Sequence, residues 1–227
     1  LLFLPQIKSN TLELIKTIID FILHIDKNLA VIMHDYQGWT YLIIFGIIFA
    51  ETGFVVTPFL PGDSLLFAAG ALIAGGNTGL NIYYMAAILI VAAFTGNTLN
   101  YFLGSYFGVK VFKPENKVLK LDYYLQTQDF FNKHGGKAVI FSRFVPIIRT
   151  VAPFVAGVGK MPFGRYSLYN IVGGAAWIIL FLFAGKFFGE ISFFKNHFPL
   201  VSLAIILISV IPAVYAAVKS RSTKKVA

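Results

Sequence analysis

Cysteine is absent from the 227 residues, and charge is scarce, with Asp, Glu, Lys and Arg making up only 13%. The first absence excludes a disulfide framework, a thiolate metal site and a cysteine nucleophile. The second excludes a soluble enzyme. Soluble domains are about 25% charged and roughly 45–50% apolar, whereas this chain is 57% hydrophobic and 16% aromatic, with a mean hydropathy of +0.75. A globule of this size could not hide so much apolar surface from water, so the composition implies an integral membrane protein. Acids are the rarest charge, 10 against 19 Lys and Arg, for a net +9. In a membrane protein that excess marks cytoplasmic loops and contact with anionic lipid rather than nucleic acid. The run Leu1–Pro5 is too short for the apolar core of a signal peptide, and Lys8 follows at once, so no cleaved leader is expected.

Hydrophobic runs are present, but several are interrupted. Thr11 to about His34 keeps helical apolar spacing broken by Glu13, Lys16, Asp20 and Asp26. That pattern predicts an amphipathic helix at the membrane surface within segment 1–38. The block Trp39–Ala74 carries Glu51, Pro58, Pro61, Gly62 and Asp63 in its middle. Its halves, about a dozen residues each, give roughly 18 Å of helix. Neither crosses a hydrocarbon core of about 30 Å, so a hairpin entering and leaving on one side is expected. Asn81–Gly108 reads as a full span, closing a unit at 39–109. Segment 110–137 carries six Lys and is expected to be a cytoplasmic linker with an amphipathic helix. Ala138–Gly159 is again broken, by Arg143, Pro146, Arg149 and Pro153, and reads as a second hairpin. With the span Tyr166–Phe188 it forms a unit at 138–189. Phe198–Val218, within 197–218, is a further span, and 219–227 is a basic tail.

No Lys or Arg occurs from Trp39 to Val109, while the linker and tail are basic. The charge rule therefore puts linker and C-terminus in the cytoplasm, and it gives the two hairpins opposite orientation. A weak internal repeat agrees. Pro58–Gly62 and Pro153–Gly157 share P-F-x-x-G, and Phe102–Gly108 and Phe183–Gly189 share F-x-G-x-[YF]-F-G. The expected fold is an all-α integral membrane protein. It has two oppositely oriented re-entrant helical hairpins, about three full transmembrane helices and an N-terminal amphipathic helix, in the manner of an inverted-repeat transporter.

Glu51 and Asp63 are the only acids in the first hairpin, and the second supplies Arg143 and Arg149. Each charge costs about 2.5–3.5 kcal/mol at a helix centre on insertion scales, so they are expected to pair or to face a polar cavity. Arginine stays charged in a dry site and presents a planar fork that suits phosphate. Arg143 and Arg149 are therefore the candidate phosphate ligands. Glu51 and Asp63 suit proton coupling, although pinning of the hairpin tips is a competing reading. Asn97 and Tyr101, one turn apart, are candidates for cavity lining, and Pro61, Gly62, Pro146 and Gly157 for shaping the hairpins. Trp39 reads as an interfacial anchor and Trp177 as a packed aromatic. No metal site, cofactor or nucleic-acid partner is expected.

The motifs Glu51-Thr-Gly53, Pro58-x-x-Pro61-Gly62-Asp63, Gly96-Asn-x-x-x-Tyr101, Phe141-x-Arg143-Phe-x-Pro146-x-x-Arg149 and Gly157-x-Gly159-Lys-Met161 occur in this order. Together they resemble the DedA family, the bacterial branch of the SNARE-associated (VTT-domain) membrane proteins. Asn97 stands where that family's G-D-x-x-x-Y motif has an acid. The resemblance implies lipid translocation in the bacterial cytoplasmic membrane, tied to proton motive force. It points first to recycling of undecaprenyl phosphate from outer to inner leaflet. A phosphatidylethanolamine flippase or scramblase is the alternative. A lipid phosphatase ranks below both, because that chemistry normally needs a His nucleophile or base and no His lies near either hairpin. The expected partners are the lipid, protons and, as an open question, a second copy of the chain.

Overall fold

The computed structural model of the chain describes residues 25–54, 62–76, 78–111, 121–189 and 191. The described residues form helices and no strand. In chain order these are α1 (Ile25–Tyr36), α2 (Trp39–Gly53), α3 (Gly62–Ala74), α4 (Ile82–Phe107), α5 (Leu121–His134), α6 (Ala138–Phe141), α7 (Pro146–Val158) and α8 (Phe163–Gly189). The helix expected over Thr11–His34 is described from Ile25 onward; it buries Leu29 and Met33 in the protein core rather than lying on a membrane surface alone. The expected span Phe198–Val218, the basic tail and the Pro58–Pro61 turn lie outside the described residues.

α4 and α8, of 26 and 27 residues, are long and apolar enough to cross a membrane. At 1.5 Å per residue each is roughly 40 Å long. Only 44% and 33% of their apolar windows are buried. The remainder, including Val91, Leu168, Ile179 and Leu180, forms an apolar surface suited to lipid. Exposed Tyr83 and Tyr84 at one end of α4 and Tyr106 at the other stand about 35 Å apart, as interfacial aromatics do. Asn81 caps α4 by accepting the Tyr83 and Tyr84 amides at 2.8 and 3.3 Å. α2, α3 and α7 are short, 15, 13 and 13 residues, or roughly 20 Å each.

The break in Ala138–Gly159 falls where Pro146 opens α7. Val145 before it is extended at φ −120°, ψ 106°, as the steric demand of a following proline favours. Pro153, expected to break the segment as well, lies inside the α7 helix.

The two units pack reciprocally. α2 lies on α4 of its own unit and α6 on α8, while α3 packs across onto α8 and α7 across onto α4. Four glycines define these crossings. A Cβ on Gly70 would collide with the Leu182 carbonyl, and one on Gly185 with that of Phe67. At the other crossing, a Cβ on Gly157 would collide with the Tyr101 carbonyl, and one on Gly104 with that of Phe154. The repeat is thus Phe67-Ala-Ala-Gly70 against Phe154-Val-Ala-Gly157, crossed with Gly185 and Gly104. This moves the register from P-F-x-x-G, which equated Gly62 with Gly157, and keeps the F-x-G-x-[YF]-F-G match. The two broken segments also touch α4 toward its opposite ends. Tyr41, near the start of α2, accepts the Asn81 amide at 2.8 Å beside the first turn of α4. Met161, beyond α7, offers its carbonyl to the Tyr101 hydroxyl in the last two turns of α4. The inner ends meet halfway along, where Gly53 and Thr52 lie against Gly96.

Candidate functional site

The ends of the broken segments bring all four intramembrane charges together. Glu51 is in the last turn of α2 and Asp63 in the first turn of α3. Arg149 is one turn into α7, its amide bonded to the Val145 carbonyl at 2.8 Å. Its Nη2 donates to Glu51 Oε1 and its Nη1 to Asp63 Oδ1, both at 2.7 Å. One guanidinium therefore joins two carboxylates from the first unit to the second. Gly62 makes this possible, since a Cβ there would occupy the place of the Glu51 carboxylate. The side-chain exposures, 11% for Arg149, 2% for Glu51 and 10% for Asp63, put the cluster away from water, where broken pairs are costly.

Arg143 does not share this role. It is buried in the short 3₁₀ turn Ser142–Phe144, and its Nη2 donates to Asn170 Oδ1 on α8. Among the described residues no carboxylate lies within ion-pair distance of it. Asn170 in turn donates to the Phe94 carbonyl at 3.1 Å, so Arg143 is held onto α4 and α8 through one amide.

Asn97 lies beside the cluster, its Nδ2 donating to the Ala93 carbonyl at 2.6 Å. Asn97 Oδ1 and Glu51 Oε2 are buried without a hydrogen-bond partner among the described residues. Both residues line a cavity of about 10 Å³ together with Thr52, Arg143, Arg149 and Trp177, which is room for about one water molecule. Tyr101, expected as a possible cavity residue, lies elsewhere. It stacks on Tyr166 at 4.4 Å and bonds the Met161 carbonyl, tying α4 to the α7–α8 turn. Gly157 packs against the Tyr101 carbonyl, Pro146 begins α7, and Pro61 lies outside the described residues.

Three residues of α8 join the site that sequence reasoning did not place there. Trp177, read as a packed aromatic, donates its indole N–H to Asp63 Oδ1 at 2.8 Å, and its ring lies 5.6 Å from the Arg149 guanidinium carbon. Asn170 holds Arg143, and Tyr166 donates to the Asn97 carbonyl at 2.8 Å. Residues 166, 170 and 177 fall on one helical face. The signal was a polar stripe on an otherwise apolar span. The same face also carries Gly173, where a Cβ would crowd the Ile140 backbone and the Arg143 stem.

A VTT domain is matched over residues 60–187. The chain is 46% identical to the protein DedA of Escherichia coli K12, over 92% of this chain and 96% of that one. It is 35% identical to the inner membrane protein YghB of the same organism, over 69% of this chain and 71% of that one. It is also 38% identical to the uncharacterized membrane protein Rv0364 of Mycobacterium tuberculosis, over 76% of each chain. No solved structure matches. The matched domain contains Asp63, Arg143, Arg149 and Trp177, and together with these relatives it establishes that the chain is a membrane protein of the DedA (VTT-domain) family.

Proposed function

We propose that this protein carries a lipid phosphate across the bacterial cytoplasmic membrane, recycling undecaprenyl phosphate from outer to inner leaflet with protons as the coupling ion. The observation that carries the reading is Arg149 held between two carboxylates from the other unit. A phosphate and two carboxylates compete for one guanidinium fork. While Glu51 and Asp63 are ionised they hold Arg149, and the cavity beside them is far smaller than a phosphate group. Protonation of the acids removes their charge and frees the fork for the lipid; release of the lipid lets the acids return their protons. Protons and lipid phosphate then move inward together. Net transport of one unit charge through 100 mV supplies about 2.3 kcal/mol. The role is transport rather than catalysis. A zwitterionic phospholipid, whose amine would meet Glu51 or Asp63, is the second substrate reading.

Re-entrant hairpins of opposite orientation give this site access from both sides. The reading is supported by the Tyr41–Asn81 contact at one end of α4, the Tyr101–Met161 contact toward the other, and the charged residues between. Multi-pass topology with linker and C-terminus in the cytoplasm follows from the distribution of Lys and Arg. The test is flux of undecaprenyl phosphate, with phosphatidylethanolamine in parallel, in proteoliposomes with the pH gradient imposed, reversed and collapsed. Expected is directional flux of the polyprenyl phosphate that follows the gradient and is lost in Glu51→Gln/Asp63→Asn. Flux indifferent to the gradient would reject proton coupling and leave a passive scramblase.

A further inference from the structure

A second cavity, of about 310 Å³, lies away from the Arg149 cluster, between α5, the end of α7 and the first turns of α8. One part of its wall is apolar, formed by Phe131, Met161 and Tyr169. Val155, Ala156, Pro162 and three glycines complete the lining, and its polar groups are Gln128, Asn132 and the exposed guanidinium of Arg165. Lys133, Lys137 and Lys160 each neighbour a lining residue in sequence and are exposed. Among the described residues no carboxylate lies within ion-pair distance of these four cations. Asp129, exposed on α5, is the nearest acid in sequence to the lining. The cavity opens where the 27-residue α8 begins, beside exposed Phe163, which is 42% accessible. An end of a spanning helix marked by an aromatic and by cations is the level of lipid headgroups.

We propose that this cavity is a second anion site, which takes the phosphate headgroup of a membrane lipid from the leaflet at the start of α8. Arg165 supplies the planar fork, Gln128 and Asn132 supply amide donors, and the three Lys raise the local potential. A free phosphate would have no use for the Phe131–Met161–Tyr169 wall, whereas the glycerol and upper acyl carbons of a lipid would lie against it. The site is separate from the Arg149 cluster and would bind lipid whether or not the protein transports it.

The chain's lack of cysteine makes a clean probe available. Gly164 adjoins Arg165, and a Cβ there meets nothing within 4 Å. The full chain in dodecylmaltoside, labelled with bimane at Gly164→Cys, is titrated with dihexanoyl phosphatidylglycerol, dihexanoyl phosphatidylcholine and inorganic phosphate. Expected is a saturable bimane change with phosphatidylglycerol, at least tenfold weaker with phosphatidylcholine and at least a hundredfold weaker with inorganic phosphate. Arg165→Ala, a change at an exposed position, should weaken phosphatidylglycerol binding at least tenfold. Equal affinity for the two lipids, no effect of Arg165→Ala, or no saturable change would overturn the site. Inorganic phosphate binding as tightly as phosphatidylglycerol would overturn the lipid source.

Discussion

Arg149 bears on stability and on the proposed transport at once, and single substitutions mix the two. Arg149→Ala leaves Glu51 and Asp63 buried with their charge uncompensated, which typically costs about 3–5 kcal/mol. Neutralising the whole triad avoids that penalty. The variant Glu51→Gln/Asp63→Asn/Arg149→Met should unfold in detergent at or above the wild-type temperature, yet move no lipid. A triad variant that transports like the wild type would reduce these residues to a staple between the two units. Arg149→Lys should fold and also fail to transport, because a point charge cannot replace the fork. Trp177 is the cleaner structural probe. Trp177→Phe keeps a ring over Arg149 and removes the N–H that Asp63 accepts. A stability loss of about 1.5–3 kcal/mol is expected for a hydrogen bond to a charged group. Combined with Asp63→Asn, the two losses should be less than additive.

At the scale of elements, the short helices matter most, since roughly 20 Å of helix does not reach across the bilayer. Gly135 and Gly136, just before α6, line the same cavity as Gly159 and Met161, just after α7. Single cysteines replacing Lys133 and Lys160 should therefore both react with an impermeant thiol reagent added from the cytoplasmic side. Labelling from opposite sides would make Ala138–Gly159 a true span and remove the inverted-hairpin reading. The glycine crossings give a second prediction. Gly104→Ala and Gly185→Ala each force a Cβ onto a backbone carbonyl. Both should lower stability by about 1–3 kcal/mol or more, as overpacking does, and by similar amounts if the two crossings are equivalent. Gly46→Ala on α2, where a Cβ meets nothing within 4 Å, is the control. It should unfold at or above the wild-type temperature, because Ala is the better helix former.

For the whole molecule, two units built alike place their broken ends at one point halfway along α4, joined by a single guanidinium. Away from that point, the glycine crossings hold α3 to α8 and α7 to α4. In the proposed transport cycle, opening the site to either face would require breaking the triad and parting the inner ends. In hydrogen exchange, wild-type protein at neutral pH should protect the amides around Gly62–Leu65 and Arg149–Ala152, and the neutral triad variant should expose them. Equal protection in both would show that the triad does not hold the ends together.

The sequence alone determined the membrane class, the two long apolar helices, the broken segments and the four charges. Each of these is local: hydropathy over a window, a proline in a run, a charge where charge is costly. It also marked Pro146 correctly as a break, because the restriction on the preceding residue is steric and one bond long. What it could not decide was partnership. That Arg149 takes both acids while Arg143 takes Asn170, that Trp177 belongs to the site and Tyr101 does not, and that Gly70 rather than Gly62 is the counterpart of Gly157 all depend on how α3 and α7 cross onto the other unit's long helix. Those crossings are set by close backbone contact at glycines far apart in sequence. Only the folded chain brings them together.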